Sequence, residues 1–275
     1  MSKLEGKVAL VSGSGRGIGR CIALKLAAEG ARVVVNDMDE APAGETVAAI
    51  LAAGGEATAC VGSVTATDFA ERFVGMAVGQ YKGLDIIVNN AGYTWDNVIQ
   101  KMTDEQWHAM LDVHLTAPFR ILRAAAGFIR QASKSEAEAG RDVYRKVVNI
   151  SSLAGIGGNA GQANYAAAKA GVIGLTAALA KEWGRYKVNV NCVAFGLIRT
   201  RLTQAAAAQG AAIDVAGRRI EVGVNPGLLQ ALEQMVPLGR GGTPEEAAGA
   251  VYLFCTPESD YVSGQTIVCG GGFMM

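Results

Sequence analysis

Apolar positions along the chain fall into two alternating patterns. Short, continuously apolar runs rich in valine and isoleucine recur, as in "KVALV" and "ARVVV". Between them lie longer Ala/Leu-rich stretches with helical spacing. The short runs predict strands at Val8–Val11, Arg32–Asn36, Ala57–Val61, Asp85–Asn89, Lys146–Ile150, Val188–Val193 and Thr266–Val268. The longer stretches predict helices at Ile18–Glu29, Pro42–Ala53, Thr67–Tyr81, Asp104–Gln131, Ala163–Trp183 and Pro244–Phe254. Strands that are apolar throughout suit a parallel sheet buried on both faces. Strict alternation of strand and helix implies right-handed crossovers. The expected fold is therefore α/β, a doubly wound Rossmann-type parallel sheet of about seven strands with helices on both faces.

Two segments interrupt the pattern. Ala132–Asp142 is polar and charged and suits a surface loop or a helix extension. Thr203–Pro237 is Ala- and Gly-rich with weak periodicity, and its place after the sixth strand suits a substrate lid. Neither an internal repeat nor a Pro/Gly/Ser linker divides the chain, so one domain over residues 1–275 is expected.

Composition narrows the class. Half of the 275 residues are hydrophobic and 18% are charged, the reverse of a disordered chain. The 25 basic and 25 acidic residues cancel, so nothing draws the chain to nucleic acid or to an anionic membrane. Cys21, Cys60, Cys192, Cys255 and Cys269 are widely spaced and odd in number. A disulfide framework or zinc site is not expected from them. "MSKLEGKVAL" lacks the apolar core of a signal peptide, and no uncharged stretch is long enough to span a bilayer. A cytoplasmic protein is expected.

The chemistry-bearing motifs lie at the predicted strand ends. "SGSGRGIG" follows the first strand and opens the first helix, with Gly13, Gly15, Gly17 and Gly19 in a spacing that is not GxGxxG. A sharp strand-to-helix turn that lets a diphosphate approach backbone N–H groups needs such residues. Asn36-Asp37 closes the second strand. A carboxylate there suits a ribose 2′-hydroxyl and repels a 2′-phosphate, which favours NAD(H). Arg16, inside the turn, could instead meet a 2′-phosphate, so NADP(H) stays open. Downstream, "NISSLAGIGGNAGQANYAAAKAG" places Tyr165 and Lys169 one helical turn apart, with Ser152 at a strand end. A nearby ammonium favours the phenolate and should lower the tyrosine pKa from its usual ~10. Tyr165 could then donate a proton to a developing alkoxide or accept one in reverse. Serine hydrolysis fits badly. There is no GxSxG, and the two histidines, His108 and His114, share one predicted helix. No metal site is expected, because these histidines lack a matching carboxylate or thiol cluster.

Taken together, the glycine turn, "NNAG" at Asn89–Gly92 and the Ser152–Tyr165–Lys169 set resemble the short-chain dehydrogenase/reductase family over Leu4 to about Phe273. The resemblance implies an NAD(P)-dependent oxidoreductase acting on a ketone or secondary alcohol. It implies Tyr165 as general acid/base, Lys169 as the group that tunes it and holds the nicotinamide ribose, and Ser152 as the carbonyl-polarising hydroxyl. Cofactor contacts are implied for Gly13, Arg16, Gly17, Ile18, Gly19, Asp37, Ser63, Val64, Asn90, Ala91, Gly92, Tyr165, Lys169, Gly196, Ile198 and Thr200.

Four positions depart from the family pattern. His114 stands where Asn usually supports a proton relay, and either joins that relay or packs in its helix. Ser63 replaces an Asp at adenine, Phe195 replaces a proline, and Cys269 replaces the Asp of "DGG". "YTWDNVIQKMTDEQW" is similar to the stretch after NNAG in 3-oxoacyl-(acyl carrier protein) reductases and related acyl thioester dehydrogenases, which suggests a 3-oxoacyl/3-hydroxyacyl group. Sugars, steroids and cyclic alcohols or diols stay open, as does a catalytically silent cofactor-binding regulator. A homotetramer or homodimer built on the helices Asp104–Gln131 and Ala163–Trp183 is also implied.

Overall fold

In a computed structural model, which describes residues 2–200, 212–215, 217–221 and 226–273, the valine-rich runs lie side by side as one sheet. β1 (Val8–Val11), α1 (Gly17–Ala28), β2 (Arg32–Asp37), α2 (Glu40–Ala52), β3 (Glu56–Val61), α3 (Phe69–Tyr81) and β4 (Ile86–Asn89) alternate along the chain. Then come α4 (Asp104–Leu111), a π turn at Asp112–Thr116, α5 (Ala117–Glu138), β5 (Arg145–Ser152), α6 (Leu153–Gly157), α7 (Ala163–Trp183) and β6 (Val188–Phe195). A hairpin of β7 (Ala212–Val215) and β8 (Arg218–Glu221), α8 (Pro226–Met235), α9 (Pro244–Leu253) and β9 (Thr266–Cys269) complete the described elements.

The main sheet has seven strands in the order β3-β2-β1-β4-β5-β6-β9, and every pairing in it is parallel. Strand residues sort by parity onto two cores, as the period of 2 requires. Ala9, Val11, Val33, Val35, Ile86, Val88, Val148 and Val193 pack with α1, α2 and α9 residues such as Ile22, Ile50 and Val251. Val8, Leu10, Val34, Ile87, Val147 and Val190 pack on the opposite face against Phe69, Phe73, Met110, Ile121 and Trp183. The chain reverses direction across the sheet between β1 and β4. A crevice opens at such a switch point, beyond the carboxyl ends of the strands.

Two expectations are revised. Asp104–Gln131 is not one regular helix: the π turn interrupts it, and α5 runs on to Glu138. The polar stretch after Gln131 is thus largely helical, and Glu136 there grips the buried Arg145 guanidinium with both oxygens (2.6 and 2.8 Å). Thr203–Pro237 is also less irregular than its weak periodicity suggests. Residues 203–211 lie outside the described residues, but the antiparallel β7–β8 hairpin and α8 follow. α8 is tied back to the end of β6 by the Arg199–Glu233 ion pair (2.7 Å). No described helix is long and apolar enough to cross a membrane.

Candidate active site

The glycine turn leaves β1 and starts α1. Gly13 and Gly17 take positive φ (62° and 53°), where side chains are strained. A Cβ on Gly13 would lie 2.6 Å from Ala91 Cα, and one on Gly19 would overlap Gly13 O. The turn is therefore packed directly on the "NNAG" loop. Ser12 joins the two, its hydroxyl accepting from the N–H groups of Asn90 (3.0 Å) and Ala91 (3.1 Å). Asn90 answers by donating from Nδ2 to Ser12 O and Gly13 O (3.0 Å each). On the β2 side, Asn36 Oδ1 accepts from Gly13 N–H (3.0 Å), while its Nδ2 donates to Cys60 O and Gly62 O. Side-chain amides thus hold the turn on both flanks. By contrast, the first turn of α1 has no side-chain cap and no acidic residue. The N–H groups of that first turn lack intrahelical partners, and the positive end of the helix dipole lies there.

At the rim beyond β2, Asp37 and Arg16 are not independent influences. Arg16 pairs with Asp39 (2.8 Å) and approaches Asp37 (3.9 Å). A Cβ on Gly15 would lie 2.8 Å from Asp37 Cγ, so this carboxylate rests directly on the glycine turn.

The reacting end lies beyond β5. Ser152 ends that strand and caps α6, accepting from Ala154 N–H (3.2 Å). Tyr165 and Lys169 share one face of α7, with the ammonium 5.6 Å from the phenol ring centre. Burial of the phenol pushes Tyr165 up to about 12; the Ser152 hydroxyl bonded to it lowers the value, and the Asp96 charge raises it. Desolvation is the largest influence on the phenol, and Lys169 is not among the groups that shift it. Burial brings Lys169 down to about 8, and its Nζ donates to Ile150 O (2.8 Å).

His114 sits in the π turn and is buried. Its Nε2 is 2.7 Å from Tyr93 O. A carbonyl only accepts, so Nε2 carries the hydrogen and Nδ1 the lone pair. Nδ1 has no hydrogen-bond partner among the described residues. The ring meets Tyr165 edge-on (4.9 Å, 89°). Burial first, then the Lys169 charge, hold its pKa well below the usual histidine value, so the ring is neutral. Gly92 makes room for it: a Cβ there would overlap His114 Cε1 and lie 2.8 Å from Nδ1.

The model of the short chain dehydrogenase family matches residues 7–211. The chain belongs to the short-chain dehydrogenase family. It is 38% identical over 277 residues to a 3-oxoacyl-[acyl-carrier-protein] reductase of Synechocystis sp., covering 100% of both chains. It is 36% identical over 271 residues to the corresponding reductase of Escherichia coli, covering 98% of each. It is 40% identical over 273 residues to the hydroxyacyl-CoA dehydrogenase ChsB1 of Mycobacterium tuberculosis, covering 98% of this chain and 78% of that one.

As a member of that family the chain is an oxidoreductase that uses a nicotinamide cofactor to interconvert a carbonyl and a hydroxyl group. The residues present fit such a dinucleotide. Gly17 is exposed with open space where a Cβ would be, beside the uncapped start of α1. The remaining candidate contacts lie at or just beyond the carboxyl ends of the strands. Val64 is buried after β3, and Ser63 turns its hydroxyl to Thr65 (2.8 Å). Gly196 follows β6 and donates to Cys269 O (3.0 Å), and buried Ile198 bridges to Gly242. Thr200 follows two residues further along. Sequence reasoning passed over Ser12, Asn36 and Asn164. Asn164 is fully buried, donates to Trp95 O and Gln106 O, and accepts the Tyr165 N–H (2.8 Å). Only its place next to Tyr165 could have singled it out.

Proposed function

We propose that the chain is an NAD(H)-dependent dehydrogenase that interconverts a 3-hydroxyacyl and a 3-oxoacyl thioester. The observation that carries the chemistry is the packing of the Tyr165 phenol against Ser152, with buried Lys169 one turn along the same helix face. When bound, the cofactor accepts or supplies the hydride at the substrate carbon. Ser152 holds the substrate oxygen by hydrogen bonding. Tyr165, protonated at neutral pH, donates its hydroxyl proton to that oxygen as it becomes an alkoxide. In the reverse direction the phenolate takes the proton back. Lys169, brought near neutrality by burial, stabilises the phenolate and can itself release a proton.

The pairing of Arg16 with Asp39 and Asp37 supports NAD(H). A 2′-phosphate would meet two carboxylates and an arginine they already neutralise, whereas a 2′-hydroxyl can donate to Asp37. The activities of the relatives, a 3-oxoacyl-[acyl-carrier-protein] reductase and a hydroxyacyl-CoA dehydrogenase, support the thioester. The described part of the 203–237 segment, the β7–β8 hairpin and α8, serves as a lid over the substrate, with α8 anchored by Arg199–Glu233. Copies associate through α5 and α7. Exposed Phe119 and the apolar character of α7 all round support this, and a sizing column tests it.

Initial rates with NADH and NADPH on an N-acetylcysteamine thioester of a 3-oxo acid test the reading. Turnover with NADH at a higher kcat/KM than with NADPH is expected. Turnover of sugars, steroids or cyclic diols but not of the thioester overturns the substrate, and NADPH preference overturns the cofactor.

A further inference from the structure

Two loops run side by side at the start of α7. Asn97 and Gln162 form a parallel bridge, and Asn97 N–H donates to Gly161 O (2.9 Å). Gln162 Nε2 donates to Asp96 Oδ2 (2.7 Å). One residue back along the first loop, Trp95 O accepts from Asn164, whose own Oδ1 holds the Tyr165 N–H (3.1 and 2.8 Å). The Asp96 carboxylate is thereby fixed at the start of α7, within the first turn that carries Tyr165. Its charge is felt at the phenol, whose ionisation it opposes. Protein around the carboxyl raises its own pKa, although the residue is also exposed to solvent. Nothing in the hydride and proton transfers needs an acidic group here.

We propose that Asp96 is a specificity-determining residue that admits substrates whose acyl carbon is neutral, such as a thioester, and rejects the free carboxylate. The inference rests on the 3-hydroxyacyl reading above. In such a substrate the acyl carbon is one methylene away from the carbinol carbon. With the hydroxyl held at Tyr165, a free acid brings a second negative charge close to Asp96. Esterification removes that charge. A pair of like charges in a dry interior would be worth many powers of ten. Solvent around Asp96 reduces this to about one power of ten in kcat/KM.

The test compares kcat/KM for a 3-hydroxy acid, its methyl ester and its N-acetylcysteamine thioester in the wild type, Asp96→Asn and Asp96→Glu. The acid-to-thioester ratio is expected to rise about tenfold in Asp96→Asn and to stay near wild type in Asp96→Glu. The pH profile gives a readout that a merely structural role would not move. Tyr165 is faced by Lys169 on its own helix, His114 on the π turn, Ser152 at the end of β5 and Asp96. Removing the Asp96 charge lets the phenol ionise more easily, so the rising limb of ester oxidation moves to lower pH. In the wild type alone, added salt should narrow the discrimination, which serves if a variant does not fold. An unchanged ratio in Asp96→Asn overturns the proposal. So does a wild type that oxidises the acid as readily as the thioester. If the methyl ester is turned over and the thioester is not, the thioester reading fails, while the ester-to-acid ratio still decides the role of Asp96.

Discussion

The two ends of the crevice are held by different means. At the glycine turn the contacts are backbone and neutral amide groups: Ser12, Asn36 and Asn90 lock the loops, and the helix start stays open. At the reacting end the groups are titratable and withdrawn from water: buried His114 and Lys169 flank half-buried Tyr165, and desolvation moves each of them towards its neutral form. The first end works chiefly by shape and hydrogen bonding. The second works by protonation state, so the same burial that fixes its geometry also sets its acidity. Binding and chemistry should therefore be separable by substitution.

Tyr165→Phe should break the second end most severely. A fall in kcat of about 10²–10⁴-fold is expected with cofactor binding nearly intact, measured by initial rates and fluorescence titration. Retention of most of the activity would remove Tyr165 from the chemistry. Gly19→Ala attacks the first end. Its methyl would overlap Gly13 O and crowd Asn90 Nδ2. Overpacking of this kind costs about 1–3 kcal/mol, so cofactor Kd should rise roughly tenfold or more while kcat at saturation survives. A fall in kcat without a change in Kd would show that the two ends are not separable. Asp37→Ser sharpens the picture at the rim. It releases Arg16 from one of its two carboxylates, and the NADPH-to-NADH ratio of kcat/KM should rise about tenfold.

The smallest effect concerns His114. Its folded pKa lies below its unfolded value, so the unfolded chain binds a proton that the folded chain refuses. Stability is then full above an unfolded pKa of ~6.5 and declines as pH falls below it, by at most about 1.4 kcal/mol per pH unit. His114→Asn should flatten the drop in melting temperature between about pH 7 and 5. A pH–rate profile of the same variant decides whether the imidazole also moves protons. If the profile is unmoved, His114 serves only to pack against Tyr165.

Much of this contrast was legible in the sequence, but unevenly. The sheet was readable because strands buried on both faces are apolar at every position, as in Val33–Val35. The glycines were readable because few other residues tolerate the φ of Gly13 and Gly17. Tyr165 and Lys169 were readable by spacing, yet their acidities were not. A pattern of residues reports that an ammonium is near and says nothing of how dry the surroundings are. Arg16 and Asp37 looked like opposed signals for the cofactor, whereas in the folded chain they lie in one ion-pair cluster with Asp39. Ser12, Asn36 and Asn164 went unread because a polar residue at a strand or helix end looks the same whether it faces water or bonds a neighbouring loop.

The π turn at Asp112–Thr116 has a consequence for phase. Gln106, Met110, His114, Pro118 and Leu122 are all buried at intervals of four residues. A regular helix advances about 100° per residue, so a strict four-residue repeat would rotate steadily away from the sheet. One wide turn takes up that lag and returns the α5 stripe to the core. Were the same residues wound as an ordinary helix, with none removed, everything beyond them would swing by about 100°. The irregular turn that presents His114 to Tyr165 is therefore also what keeps the long helix facing inwards.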